Sequence, residues 1–325
     1  MRVLVTGATS FLGATTVRAL QERGHEVVVL QRHPSGLGCP EVLGDIRDQI
    51  AVDRAVADCQ AVLHCAAKVG ITGSASDFAS VNVQGTATLL AAAQAAGVQR
   101  FVQVSSPSVA HAGHALVGAG ADPADPVRAR SAYSRTKAQA ELLALAADGP
   151  QFAVTALRPH LVWGPGDEQL VARIVQRARS GRLVLIGNGC ALIDTTYLDN
   201  AAAALACAVE RAADPLVHGR AFVVSNGEPR TVADMLSGIA RAAGAPLPTR
   251  YVGLGTARAV GSLVASAWVL LHRADEPPMT PFLAEQLGTA HWFDQRQVRQ
   301  ALAWQPTVTI DEGLQRLADW YRSQA

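Results

Sequence analysis

The sequence predicts an α/β fold: a doubly wound parallel sheet with helices on both faces and a smaller, interleaved C-terminal lobe. Three observations predict it. Short runs of apolar, β-branched residues recur along the first half of the chain, separated by Ala/Leu-rich helical stretches. These runs are continuous rather than alternating in polarity, so both faces of each strand are expected to be buried, as in a parallel sheet covered by helices. A glycine-bounded turn, "VTGATSFLG" (Val5–Gly13), joins the first strand to the first helix.

With 325 residues, 49% of them hydrophobic, the chain can fill one large domain or two closely joined ones. Lys and Arg number 28 against 27 Asp and Glu, a formal charge of +1, and no basic block breaks that balance. This excludes a nucleic-acid footprint and points to a small-molecule partner. The five cysteines, Cys39, Cys59, Cys65, Cys190 and Cys207, lack paired metal-like spacing. No metal site is expected, and the thiols read as reduced and cytosolic.

The first strand, "RVLVTG" (Arg2–Gly7), begins too close to Met1 for a signal segment, so a cytoplasmic location is expected. Gly7 falls at the tight turn, and Gly13 falls where the helix over 13–23 packs on the strand. The amides between them and the positive helix end make a seat for a pyrophosphate. Ser10 stands where the middle glycine of a Gly-x-x-Gly-x-x-Gly spacing falls, and its hydroxyl is a candidate phosphate donor. The second strand, "EVVVL" (Glu26–Leu30), runs into Gln31 and Arg32. An acidic residue there would favour a ribose 2′-hydroxyl, whereas an arginine pairs with a 2′-phosphate. In "GDIRD", Asp45 and Ile46 are expected to end a third strand and bracket an adenine. Further strands are "AVLHCAA" (Ala61–Ala67), "RFVQVSS" (Arg100–Ser106) and "AVTALRP" (Ala153–Pro159), with a helix over 82–96.

"YSRTK" puts Tyr133 and Lys137 four residues apart at the head of a helix, on one face. A tyrosine titrating at about 10 is a poor acid–base catalyst at neutral pH, and a neighbouring ammonium lowers that value.

After residue 160 the pattern loosens into "WGPGD" (Trp163–Asp167), a helix, "GRLVLIGNG", a strand-like "DTTYLD" ending at Asp199, a strand in "GRAFVVSNGEP" (Gly219–Pro229) and a helix over 231–243. We expect a dinucleotide-binding domain at 1–159, with part of 190–225 threaded back into it, and a substrate-binding lobe at 160–325. "VGLGTARAVGSLVASAWVLLH" (Val252–His272) is apolar but carries Arg258 and three glycines. It reads as an amphipathic helix over a pocket rather than a membrane span, with peripheral membrane or lipid contact through 252–271 left open.

Taken in order, TGATSFLG, Asp45–Ile46, "HCAA" (His64–Ala67), "NVQGT" (Asn82–Thr86), "VSSPS" (Val104–Ser108), "YSRTK" and "LRPHLVWGPGD" (Leu157–Asp167) resemble the extended short-chain dehydrogenase/reductase superfamily. The resemblance covers essentially the whole chain. Within the superfamily, "DTTYLDN" (Asp194–Asn200), "SNGEP" (Ser225–Pro229) and "EPPMTPFLAEQLGTAHWFD" (Glu276–Asp294) are similar to the 3β-hydroxysteroid dehydrogenase-like branch. There they are similar to the 2-alkyl-3-oxoalkanoate reductases of bacterial olefin biosynthesis.

The resemblance implies a Rossmann sheet and Ser106, Tyr133 and Lys137 as catalytic residues. Ser105 and Ser108 are neighbours that a one-residue slip would exchange for Ser106. It implies cofactor contacts from Gly7, Thr9, Ser10, Phe11, Leu12, Gly13, Arg32, Asp45, Ile46, Ala66, Ala67, Lys68, Asn82, Tyr133, Lys137, Pro159 and Val162. Ser108, His160 and Trp163 are the expected substrate neighbours, His160 being equally readable as a structural histidine. Sugar-nucleotide epimerases of the superfamily often have asparagine where His160 follows Arg158–Pro159, which argues against a nucleotide sugar.

The expected cofactor is NADP(H), with NAD(H) as second choice. The expected substrate is an apolar β-keto acid or steroid-like ketone or alcohol. The expected assembly is a homodimer through the helices beginning near Asn82 and Tyr133. The alternative is a nucleotide-sugar epimerase or dehydratase that holds NAD(P) tightly. A dehydratase wants an acidic residue beside the catalytic serine, and Pro107 and Ser108 offer none. A non-catalytic nucleotide sensor is a third reading, against which the Tyr133/Lys137 pair speaks. Arg32→Ala is expected to weaken NADPH far more than NADH when each is titrated, and equal losses would refute the phosphate pairing.

Overall fold

Seven parallel strands form the central sheet of the computed structural model, which describes residues 1–70, 73–110, 113–271, 277 and 279–324. In chain order they are β1 (Arg2–Thr6), β2 (Glu26–Gln31), β3 (Glu41–Leu43), β4 (Ala61–His64), β5 (Arg100–Val104), β6 (Ala153–Pro159) and β7 (Arg220–Val224). Across the sheet they run β3-β2-β1-β4-β5-β6-β7, with every pairing parallel. The order reverses between β1 and β4. The crevice beyond the C-terminal ends of those strands is where sheets of this kind hold ligands.

Alternation along the strands divides their side chains between two cores. Val3 and Val5 join Leu63, Val102 and Leu157 on one face, where they meet Val17 and Leu20 of α1 (Phe11–Glu22) and Leu205 of the helix Leu198–Arg211. Leu4 joins Val28, Val62 and Phe101 on the other, against Val52 of α2 (Gln49–Val56) and Leu89 of α3 (Gly85–Ala95). Each fully buried leucine or valine contributes about 1.5–3 kcal/mol of apolar transfer. Both helical layers are therefore needed, which is why the strands lack a polar face.

Beyond β6 the chain enters a third core around Trp163, Val175, Leu236 and Leu317, built with the helices Leu170–Arg179, Val232–Ala242 and Ile310–Ser323. It returns to the sheet twice: Leu198–Arg211 packs on α1, and β7 pairs with β6. Two expectations are corrected. The third strand stops at Leu43, before Asp45 and Ile46. Gly44 packs so closely on Ala51 that a Cβ would come within 2.4 Å of its methyl, and the Asp45 carboxylate closes a turn by accepting from the Arg47 amide. The strand read into Asp194–Asp199 is only Thr196–Tyr197, with a helix beginning at Leu198. The segment after Val252 forms the helix Leu254–Leu270, while His272, Glu276 and Pro278 of the sequence motifs lie outside the described residues. Among the described residues, no helix is long and apolar enough to cross a membrane.

Buried polar side chains tie α4 (Ala132–Ala146) to the strand ends. Thr86 gives its hydroxyl proton to the Asn82 carbonyl (2.7 Å), so His64 Nε2 donates to Thr86 Oγ1 (2.9 Å) and His64 Nδ1 accepts from Thr6 Oγ1 (2.7 Å). The Asn82 amide donates to Thr136 on α4 (3.1 Å). Thr136 shares its own proton between the carbonyls of Ala132 (2.8 Å) and Tyr133 (3.1 Å). Asn82 belongs to a π-helical stretch, Ser80–Gln84, wider than an α-helix by one residue in each hydrogen-bonded turn. This directional run requires a neutral imidazole. Burial, with Lys137 as a second cause, holds the His64 pKa down at about 3. Elsewhere on α4, Glu141 meets Arg158 of β6 in a two-pronged ion pair (2.9 and 2.5 Å) that is almost wholly out of water.

A histidine with pKa 6.5 when unfolded and about 3 when folded binds its proton more readily in the unfolded chain. The stability it contributes is therefore complete above pH 6.5 and is lost as pH falls toward 3. Urea unfolding is expected to give a loss of about 2 kcal/mol between pH 7 and pH 5, and His64→Asn is expected to lack it. An unchanged pH dependence in the variant would rule out His64 as the source.

Candidate active site

The turn after β1 is shaped by two glycines. Gly7 has φ +71°, and a Cβ there would stand 2.7 Å from the Ala66 nitrogen. Gly13 lets α1 approach so closely that a Cβ would lie 2.3 Å from the Gly7 oxygen. Ser10 caps α1: its hydroxyl accepts from the Gly13 amide (3.0 Å) and donates to the Gly7 carbonyl (2.8 Å). The hydroxyl expected to reach a phosphate is thus engaged within the turn itself. The amides of Phe11 and Leu12, the first two of the helix, keep no intrahelical acceptor. The first turn holds no acidic residue, and Thr9 and Ser10 are exposed. An open, positive helix end of this kind fits a dinucleotide pyrophosphate.

Arg32, at the end of β2, is exposed and makes no close ion pair among the described residues. Hydrogen bonds from Arg47, with Arg32 as a weaker influence, hold the Asp45 carboxyl below its usual range. Ile46 is buried against Gly85. After β4, Ala66 and Ala67 are half-buried. Lys68 is held by its backbone, its N–H donating to Asn82 Oδ1 (2.7 Å) and its carbonyl accepting from Asn82 Nδ2 (3.1 Å). Its ammonium lies over the Phe78 ring, 3.6 Å from Asp77.

Tyr133 and Lys137 stand one helical turn apart on α4, which a reciprocal cap between Ser131 and Ser134 starts. Burial raises the Tyr133 pKa above its ordinary value, and the nearby Ser106 hydroxyl draws it partly back. Ser106 also bonds Ser108 (2.9 Å). The buried Ser105 hydroxyl has no hydrogen-bond partner among the described residues. Lys137 is buried, donates to the Val104 carbonyl (2.6 Å) and is pushed down to about 8 by burial. Beside it, burial pushes the Cys65 thiol up to about 12. A protonated tyrosine next to a serine hydroxyl can give its proton to a carbonyl oxygen, and a nearby ammonium steadies the phenolate left behind.

Pro159 ends β6, and half-buried Val162 pairs with Thr196. His160 is buried, with Nδ1 on the Asp194 carbonyl (2.7 Å) and its ring edge-on to Phe293. Trp163 is fully buried, donates to Thr195 (2.9 Å) and packs edge-on against Tyr197. An indole with no accessible surface does not wall a pocket, so Trp163 belongs to the lobe core instead of beside a substrate.

Sequence reasoning missed the tie formed by Thr6, His64, Thr86 and Thr136, and the role of Glu141. The signals were a histidine ending an apolar strand and a glutamate among alanines and leucines. It also missed Asp194, whose buried carboxylate accepts from Ser225, Gly227 and Glu228 where the lobe meets the sheet, and which burial raises to about 6.

Residues 3–225 match the model of the NAD dependent epimerase/dehydratase family. The chain is 43% identical over 324 residues, 98% of each partner, to a 2-alkyl-3-oxoalkanoate reductase of Stenotrophomonas maltophilia. It is 32% identical over 341 residues, 98% of this chain and 91% of the other, to a 3-beta-hydroxysteroid dehydrogenase of Mycolicibacterium neoaurum. Among solved structures, MoeE5 in complex with UDP-glucose and NAD is similar with a TM-score of 0.75 and 26% identity, covering 100% of this chain and 99% of that one. A glycine turn at the reversal point of the sheet and a family match over most of the chain agree: the protein belongs to the NAD dependent epimerase/dehydratase family, the extended short-chain dehydrogenases/reductases.

Proposed function

We propose that the chain is an NADP(H)-dependent ketoreductase that interconverts the ketone and alcohol of an apolar β-keto acid or steroid-like substrate. The observation that carries this reading is Tyr133, half-buried beside Ser106 and one turn from the buried Lys137. When bound, the cofactor supplies or takes up the hydride at the carbonyl carbon. Ser106 donates to the carbonyl oxygen and holds it. Tyr133 delivers the proton that this oxygen needs, and Lys137 steadies the phenolate and binds the nicotinamide ribose. A tyrosine kept protonated by burial suits the reductive direction, in which it is the acid.

The open helix end between Gly7 and Gly13 holds the pyrophosphate, and the exposed Arg32 holds the 2′-phosphate, which favours NADP(H) over NAD(H). The 43% identity to a 2-alkyl-3-oxoalkanoate reductase of Stenotrophomonas maltophilia supports a 3-oxo acid as the substrate class. Residues 160–325 serve as the substrate lobe. Exposed Val260, Leu263 and Leu270 on the helix Leu254–Leu270 suit an apolar tail or a lipid surface. A homodimer through α3 and α4 is supported by the exposed Leu142 and Leu143 of α4.

Tyr133→Phe is expected to abolish turnover while leaving NADPH affinity within a few-fold; retained activity would remove Tyr133 from the acid role. In wild type, net NADPH consumption with a panel of ketones supports the reductase. Turnover of a UDP-sugar without net consumption overturns it in favour of an epimerase, and binding without turnover favours a sensor. Light scattering on the eluting protein is expected to give twice the mass of one chain; a monomer would sink the dimer.

A further inference from the structure

Glu285, on the helix Pro281–Gly288, is almost wholly buried and takes two arginines. Arg130 bonds Oε2 through a terminal amino group, and Arg258 Nε lies 3.4 Å from Oε1. One carboxylate balances one guanidinium, so the cluster carries a net positive charge. The two arginines are not equally committed. Arg258 turns only Nε toward Glu285, its terminal amino groups make no hydrogen bond among the described residues, and its side chain is 42% exposed. Those two groups form a fork of the shape that receives a carboxylate.

One member of the cluster, Arg130, is joined to Tyr133 by a short run of chain. Arg130 precedes Ser131, the cap of α4, and three residues of chain reach at most about 10 Å to Tyr133. A Cβ on Gly113, five residues past Ser108, would strike the Arg130 guanidinium, so Gly113 packs against the same spot. Arg258 is also the one charged residue of the helix Leu254–Leu270, whose exposed positions include Val260, Leu263 and Leu270. A single cation set in an otherwise apolar helix matches an amphiphile with one acidic head.

We propose that Arg258, with Arg130 behind it, binds the carboxylate of the substrate, so that the protein selects 3-oxo acids with apolar tails over the corresponding neutral ketones. This rests on the ketoreductase reading. It assigns Arg258 a binding role and leaves the proton transfer to Tyr133. In a 3-oxo acid the carboxylate carbon is two bonds from the reacting carbon, which requires a cation near Tyr133.

The test compares a 2-alkyl-3-oxo acid with its methyl ester, using full-length protein and NADPH, in wild type, Arg258→Gln and Arg258→Lys. Arg258→Gln is expected to lower kcat/KM for the acid roughly ten- to a hundredfold, mainly through KM, with little change for the ester. Arg258→Lys is expected to recover much of the acid's advantage, because it keeps the charge. Arg130 remains paired with Glu285 in both variants, so thermal unfolding is expected to stay near wild type. Equal losses on acid and ester, or no loss on the acid, would overturn the assignment while leaving the ketoreductase reading intact. A wild type that reduces neither compound overturns both.

Discussion

A run of hydrogen bonds between uncharged groups, from Thr6 through His64, Thr86 and Asn82 to Thr136, sets where α4 stands relative to the turn after β1. Its direction is fixed at every link, because the hydroxyl protons of Thr86 and Thr136 are committed to backbone carbonyls and that of Thr6 to the His64 ring. A buried polar group left without a partner costs about 1–3 kcal/mol, whereas a satisfied hydrogen bond contributes about 1. That asymmetry makes the run behave as a unit. The pair of Glu141 and Arg158 fixes α4 against β6. Buried ion pairs often add little net stability over apolar replacements, so the effect of this one is positional. Arg158 also donates to the Asp122 carbonyl (2.8 Å), which steadies the segment leading to the cap of α4.

Burial acts on Tyr133 and Lys137 in one chemical sense, toward the neutral form of each. For the tyrosine this keeps the proton on; for the lysine it brings deprotonation down to about 8. At neutral pH the site therefore presents one ammonium, anchored on the Val104 carbonyl, one turn from a protonated phenol. The positive end of α1 lies at the same crevice. An anionic dinucleotide thus meets favourable charge from both sides of the sheet reversal.

Much of the fold was legible because parallel strands declare themselves by being apolar on both faces, and Gly7 and Gly13 mark a turn whose tightness the backbone geometry bears out. Tyr133 and Lys137 were legible because four residues on a helix fix a relative position. The remainder depends on distances that chain order does not encode. Arg130 and Glu285 are 155 residues apart, and nothing in either neighbourhood announces the other. Trp163 looked like a pocket wall because aromatic residues after β6 are ambiguous until Tyr197 and Thr195 are seen to enclose it. The end of β3 was misplaced for a related reason: the contact of Gly44 with Ala51 stops the strand, and pattern alone does not reveal it.

The π-helical stretch Ser80–Gln84 gives chain length itself a function. An α-helix advances about 100° per residue, so removing one residue between Ala79 and Gly85 would let the helix close up and swing Asn82 away by about that angle. Lys68 would lose both of its backbone partners, and Thr136 its donor, although no residue touching either had been substituted. The exposed Gln84 is open to change of identity, but the number of residues in the segment is not, so a deletion there does what a side-chain substitution at Gln84 does not.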